Sequence, residues 1–143
     1  MANALYGKAK EGLLSGAIDL DTAVIKAVFV RGYTPNLSTH DFVDDVTGAG
    51  GTLVGTPQTL GSVSVALGVF DAADVTFTAV AAGAACAYIL VYQASAVTGG
   101  ADVAASAQRL IALLDTATGL PVTPNGGDIT IAWDNGASKI FAL

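Results

Sequence analysis

The chain is expected to fold as a mainly β protein: an antiparallel β-sandwich of jelly-roll type, with a partly open β-barrel as the alternative. Three observations predict this. Short runs of apolar and β-branched residues recur along the chain, separated by Gly, Pro, Asn and Asp clusters. Strands do not alternate with helices, which argues against a parallel doubly wound sheet. The 143 residues show no fixed-period repeat and no linker, so they read as one domain able to bury its own core. Within it, residues 1–16 form an N-terminal helix or arm and residues 17–143 the sandwich.

Residues 3–15 carry the first helical period. Leu5, Ala9 and Leu13 share a face with Tyr6 and Leu14 beside them, while Lys8, Lys10 and Glu11 lie elsewhere. Asn3 is the expected N-cap and Gly16 the expected left-handed residue past the end. Gly7 and Gly12 each weaken such a helix by about 1 kcal/mol relative to Ala, so it needs a surface to dock on. Residues 22–31 form the first strong strand, apolar on both faces and therefore central. Ser38 followed by Asp41 resembles a capping box opening a short helical insert over residues 39–46, with Phe42, Val43 and Val46 inward.

Further strands are expected over residues 52–57, 62–67, 75–80 and 87–92. The second alternates Ser62, Ser64 and Ala66 with Val63, Val65 and Leu67, the pattern of a half-buried strand. Residues 95–107, small and polar around Gly99-Gly100, are expected to be a mobile, projecting loop. Residues 109–115 have a helix-compatible composition, but their shortness and flanking turn residues favour a strand. Near the end, Pro121 and Pro124 precede Asn125-Gly-Gly127, and a strand over residues 128–134 places Ile129, Ile131 and Trp133 on one face. Asp134-Asn-Gly136 then turns the chain back through residues 139–143. This makes a C-terminal hairpin-like unit with the sole tryptophan inward, and a total of about eight strands.

Charge narrows the choice of partners. The formal net charge is −6, and six scattered Lys and Arg offer no track for nucleic acid or an anionic membrane. Charged residues make up 13%, against roughly 25% in an average soluble domain. Such a surface suits a protein partly covered by copies or by a partner. Cys86 stands alone, which leaves no internal disulfide and a buried filler role. The first residues lack the basic-then-apolar pattern of a signal peptide. The longest uncharged stretch, residues 75–101, is interrupted by Thr, Gln, Ser and Gly and falls short of the roughly 20 apolar residues of a spanning helix. A soluble chain made in the cytosol is the expectation.

Catalytic patterns are missing from the sequence. His40 reads as an exposed helix histidine, and a triad with Ser38 or Ser62 lacks the Gly-x-Ser-x-Gly elbow. The acidic clusters Asp19/Asp21, Asp41/Asp44/Asp45 and Asp71/Asp74 lack the alternating ligands, central Gly and closing Glu of a calcium loop, and read as turn carboxylates. The Gly-rich stretches at 48–51 and 98–100 match no phosphate-binding motif. Trp133 alternates with isoleucines as a core residue does, not as a sugar platform. Neither an enzyme, a cofactor nor a metal site is expected.

Four segments carry a resemblance. They are Ala2-Asn-Ala-Leu-Tyr with residues 12–21; Val24-Ile-Lys-Ala-Val28; Leu37-Ser-Thr-His-Asp-Phe with Asp44-Asp-Val46; and Asp115-Thr-Ala-Thr-Gly-Leu-Pro-Val-Thr-Pro-Asn-Gly-Gly-Asp-Ile-Thr with Trp133-Asp-Asn-Gly and Lys139-Ile-Phe. Together they resemble a family of small virion structural proteins of tailed bacteriophages and prophages. The last segment is the most specific; residues 55–68 and 95–108 depart most. In size and β-rich pattern the family is similar to head decoration (cement) proteins. The resemblance thus implies a homo-oligomer, dimer or trimer, bound to the major capsid protein on the capsid surface after synthesis in the bacterial cytoplasm. It brings no catalytic residues. A tail or neck subunit is the alternative within a virion, and a non-catalytic glycan- or host-binding module the alternative outside that class.

The expected contact elements are the N-terminal helix, through Leu5, Tyr6, Leu13 and Leu14, and the 95–107 loop, through Val97, Thr98 and Val103. On this expectation, removing residues 1–15 abolishes particle binding and leaves the sandwich folded.

Overall fold

The structure, a computed structural model, describes residues 3–117 and 119–143. Its elements in chain order are β1 (Ala4–Leu5), α1 (Gly7–Ser15), β2 (Val24–Arg31), α2 (Val43–Gly48), β3 (Thr52–Thr59), β4 (Ser64–Ala66), β5 (Val69–Asp71), β6 (Val75–Phe77), β7 (Tyr88–Ser95), a 3-10 turn (Ala105–Ala107), β8 (Arg109–Leu114), β9 (Ile129–Ile131) and β10 (Phe141–Ala142). The main sheet runs β1-β8-β7-β2-β3; a second runs β10-β5-β4, and β6 pairs with β9. Every pairing is antiparallel. The fold is mainly β and sandwich-like, and its sheets are open. No barrel closes among the described residues, because β1, β3, β4 and β10 end their sheets.

The central strands follow from their composition. Along β2, residues 27 to 30 are fully buried, and in β7 and β8 nearly every residue is. Continuous apolar runs covered on both faces give this pattern. Residues 109–115 thus resolve as strand, not helix. Phe29 of the main sheet packs on Phe77 of β6, with ring centroids 4.4 Å apart. In the second sheet Phe70 stacks on Phe141 at 4.9 Å. These aromatic contacts tie each small sheet into the core.

The N-terminal region is not a separable arm. β1 is an edge strand of the main sheet, paired to Leu113 and Ala112, and Tyr6 and Ala9 are fully buried. Asn3 does not cap α1; its side-chain oxygen accepts the backbone N–H groups of Asp115 and Thr116 at 2.9 and 3.1 Å. That tie makes residues 4–5 extend and delays the helix to Gly7. Gly16 closes it in the left-handed region at φ 77°. Gly12, expected only to weaken the helix, has a packing role: a Cβ there would lie 2.8 Å from Cδ1 of Ile18. Removing residues 1–15 would take core side chains with it, contrary to the expectation.

Three further expectations are corrected. The helical insert begins at Val43, not residue 39, because Asp45 reaches back to accept N–H groups from Phe42 and Asp41 at 3.1 and 2.9 Å. Ser38 and Asp41 form no capping box. The strand over residues 62–67 shrinks to Ser64–Ala66 and is exposed along its length. Ser62 and Leu67 take positive φ (50° and 51°), so the alternation there marks turn positions and not a buried face. Finally, the C-terminal unit is not a hairpin: β9 pairs with β6, and β10 with β5. Trp133 is nonetheless buried, at 4% exposure, between these sheets.

Candidate functional site

An open groove of about 940 Å³ lies between α1 and the C-terminal segment. Its walls include Leu5 of β1, Leu13 and Leu14 of α1, and Phe141, Ala142 and Leu143 at the chain's end. Both β1 and β10 are terminal strands of their sheets, which is why this seam is open. A shallower hollow of about 330 Å³ adjoins it; Leu13 and Leu143 line both. Val65 of β4 and Asp19 and Asp21 of the α1–β2 turn line only the second.

Exposed apolar side chains crowd this face. Leu14 is 90% exposed, Leu143 68%, Val65 49%, and Leu67, at the β4–β5 turn, wholly so. The Leu143 N–H donates to the Gly68 carbonyl at 2.9 Å, which brings the Leu67 turn beside the C-terminus. The hydrophobic cost of leaving such chains in water, roughly 1.5–3 kcal/mol each for full burial, is large enough that a cluster of them marks an interaction surface.

Charges of both signs line this face. Lys10 lines the groove and has no ion-pair partner among the described residues; Lys139, also in its wall, reaches Asp71 at 3.7 Å, and Asp134 lines the groove too. Asp19 and Asp21 line the second hollow. A side-chain hydrogen bond to Asp19 and then its negative charge hold the Asp21 carboxyl above the usual carboxylate range, and the same bond lowers Asp19. This is a like-charge pair with no cation beside it among the described residues.

The seven expected contact residues separate into two groups and one misplacement. Leu5, Leu13 and Leu14 meet at the groove, although Leu14 points outward and not with Ala9 into the core. Val97, Thr98 and Val103 are exposed on the β7–β8 connection and do not line the groove. That connection projects but is fastened: Lys26 bonds Asp102 at 2.8 Å, Val103 N–H donates to Ala94, and the Ser95 hydroxyl accepts from Val97. Tyr6 is misplaced as a contact, since it is fully buried. Leu67, Val65 and Leu143 were missed. Their signal was present as a leucine in a Leu67-Gly68 turn, where Asn or Asp is the usual residue.

A polar chain in the interior runs from Tyr6 to Tyr33 to His40. The two hydroxyls lie 3.1 Å apart, and Tyr33 meets His40 Nδ1 at 2.7 Å. Burial, and then the hydrogen bond to Tyr33, drive the Tyr6 phenol far above its ordinary range. His40 is half-buried and precedes the helix, where it was expected exposed on it. Among the described residues neither Ser38 nor Ser62 hydrogen-bonds to it, and the chain opens on neither hollow. It locks the end of β1 to the loop after β2. Cys86 is buried and bridged to Val122 through the backbone, and burial pushes its thiol up. Among the described residues no three His, Cys, Asp or Glu side chains converge, and no helix is long and apolar enough to cross a membrane.

No family model, curated protein or solved structure matches this chain. Whatever can be said of function therefore rests on the residues and on the surface just described.

Proposed function

We propose that this protein is a structural component of a tailed-bacteriophage virion, acting as a head decoration (cement) protein on the major capsid protein lattice. The observation that carries the proposal is the clustering of exposed leucines around the groove on an otherwise weakly charged β body. A protein held among copies of a shell subunit needs a stiff frame and apolar contact surfaces, and weak single contacts suffice because many copies bind one lattice. In this reading the frame is a sandwich of jelly-roll type. The groove face and the fastened β7–β8 connection, with Val97, Thr98 and Val103 at its exposed positions, are the two contact surfaces. The segment most specific to the resemblance, Asp115 to Thr130 and on to Phe141, supplies β9, Trp133 and β10, the pieces that close the small sheets onto the core.

Burial of Trp133 favours this reading over a glycan-binding module, which would present its aromatic ring to solvent. The net charge of −6 favours protein partners over nucleic acid or a membrane. The test is reconstitution. Purified protein is mixed with heads that lack it, and the heads are pelleted. The expected result is saturable co-sedimentation at a fixed ratio to the capsid protein, with greater resistance of the heads to heat. Binding confined to purified tails, or no binding to either part, would overturn it.

A further inference from the structure

We infer that Asn135 is a self-modification site: the Gly136 backbone nitrogen closes on its side-chain amide, the Asp134 carboxylate takes the proton, and ammonia leaves. The inference is independent of the capsid reading and concerns the isolated chain.

The chain has four asparagines, and their surroundings separate them. Asn3 and Asn36 precede Ala4 and Leu37, whose side chains crowd such an attack, and the Oδ1 of each accepts two backbone N–H groups. Asn125 and Asn135 each precede a glycine, which sets no Cβ in the way and turns freely. They differ in what holds that glycine. The Gly126 N–H donates to the Val80 carbonyl at 2.9 Å, while the Val80 N–H donates to the Gly127 carbonyl at 3.0 Å. The Gly126 nitrogen is thus clamped in a two-bond backbone bridge, and Asn125 Oδ1 is itself taken by the Gly127 N–H at 3.0 Å. A neutral carbonyl removes no proton, and attack from Gly126 would break the bridge.

At Gly136 the partner is a base. Its N–H donates to Asp134 Oδ1 at 3.0 Å, so the carboxylate already holds the proton that must leave. Asn135 Oδ1 faces the Lys139 ammonium at 3.5 Å, a cation placed where negative charge builds as the amide carbonyl is attacked. Residues 134–138 are all exposed, so water reaches the site.

The Gly136 nitrogen forms a bond to Asn135 Cγ, the Cγ–Nδ2 bond breaks, and the proton passed through Asp134 departs with ammonia. Water then opens the cyclic imide at either carbonyl. One opening leaves aspartate, and the other leaves isoaspartate, whose main chain is longer by one methylene. Both ends of the turn are held, by the Trp133 N–H on Asp74 and by the Ile140 N–H on the Phe70 carbonyl at 3.2 Å, so the added length bulges the turn outward. The new carboxylate stands beside Asp134 in the groove wall.

The experiment incubates the full chain at mildly alkaline pH, folded and in urea, with samples taken over days. Fragment mass spectra of the digests locate the conversion, and enzymatic methylation counts isoaspartate. In the folded chain Asn135 should convert about tenfold or more faster than Asn125, whose attack must first break a backbone hydrogen bond. In urea the two rates should converge, because the Asn-Gly sequence is shared. Asp134→Ala and Lys139→Gln should each slow conversion of Asn135 several-fold, and Gly136→Ala should nearly stop it, with unchanged far-UV spectra. Conversion of Asn125 as fast as Asn135 in the folded chain overturns the inference. So does an Asn135 that converts in urea but not when folded, or a rate indifferent to both Asp134→Ala and Lys139→Gln.

Discussion

The backbone N–H of Trp133 donates to a carboxylate oxygen of Asp74 at 3.0 Å, across 59 residues of sequence. The indole Nε1–H reaches the neighbouring Ala73 carbonyl at 2.9 Å. The β5–β6 turn is thereby bolted to the chain leaving β9. Asp74→Ala removes the acceptor from a part-buried N–H and is expected to cost about 1–3 kcal/mol, whereas Asp74→Asn keeps an acceptor oxygen and costs less. Thermal melts of the two variants check the order. In wild type, acrylamide should quench Trp133 poorly; Asp74→Ala quenching no better and melting unchanged would contradict the role given to this bond.

Tyr6 and Tyr33 make an asymmetric pair. Tyr6→Phe leaves the Tyr33 hydroxyl still bonded to His40, while Tyr33→Phe strands a Tyr6 hydroxyl whose only hydrogen-bond partner among the described residues is Tyr33. The first should cost about 0.5–1.5 kcal/mol and the second about 1–3 kcal/mol. The double variant should cost less than the sum, because the two groups share one network. Equal single costs that add fully would contradict the pairing.

The tyrosines also set the alkaline limit. Burial first of all raises Tyr6 and Tyr33, and it pushes Tyr92 up to about 12. The folded state thus keeps phenol protons that the unfolded chain releases near pH 10, so it binds more protons than the unfolded state and stability falls as pH rises. This contribution is complete below about pH 10, and the Tyr92 part is lost as pH climbs toward about 12. Absorbance at 295 nm and circular dichroism should therefore show buried tyrosines ionising together with unfolding. Reversible ionisation of every tyrosine near pH 10 in a folded protein would refute it.

Asp45 starts α2 by accepting two backbone N–H groups, and those two bonds hold its carboxyl below the usual range. Asp45→Ala is expected to cost about 1 kcal/mol, as losing a helix cap does, and Asp45→Asn clearly less. Urea titration of both variants measures this.

These sites show what the sequence carried. β2 and β7 were legible as buried strands because they are apolar on both faces, whereas β8, with a helix-compatible composition, was read as strand only from its shortness and flanking turn residues. Gly16 was legible as a helix stop. The pairing of the C-terminal strands was not. The Asn135-Gly136 turn suggests a hairpin, but β9 and β10 are claimed by the distant β6 and β5, through contacts such as Phe70–Phe141 that no local pattern encodes. Asn3 failed as a cap because its oxygen is taken by residues 115 and 116. At the candidate site, Leu5, Leu13 and Leu14 were found by helical period. Val65, Leu67 and Leu143 were read as strand or tail, since alternation cannot distinguish a strand with one face buried from one with none.

Leu67 offers a test of whether that surface is functional. Leu67→Asn relieves the left-handed strain and should stabilise the monomer by about 0.5–1 kcal/mol. If the leucine serves a contact, the same change weakens binding to heads. A melt and a co-sedimentation assay with heads read both, and a loss of monomer stability would contradict the strain argument.

If the protein is part of a virion shell, as proposed, electron microscopy of purified particles with copies counted per particle should find hundreds of them distributed over the head at symmetry-related positions. A handful at a single vertex or along the tail, or none on the particle at all, would rule that out.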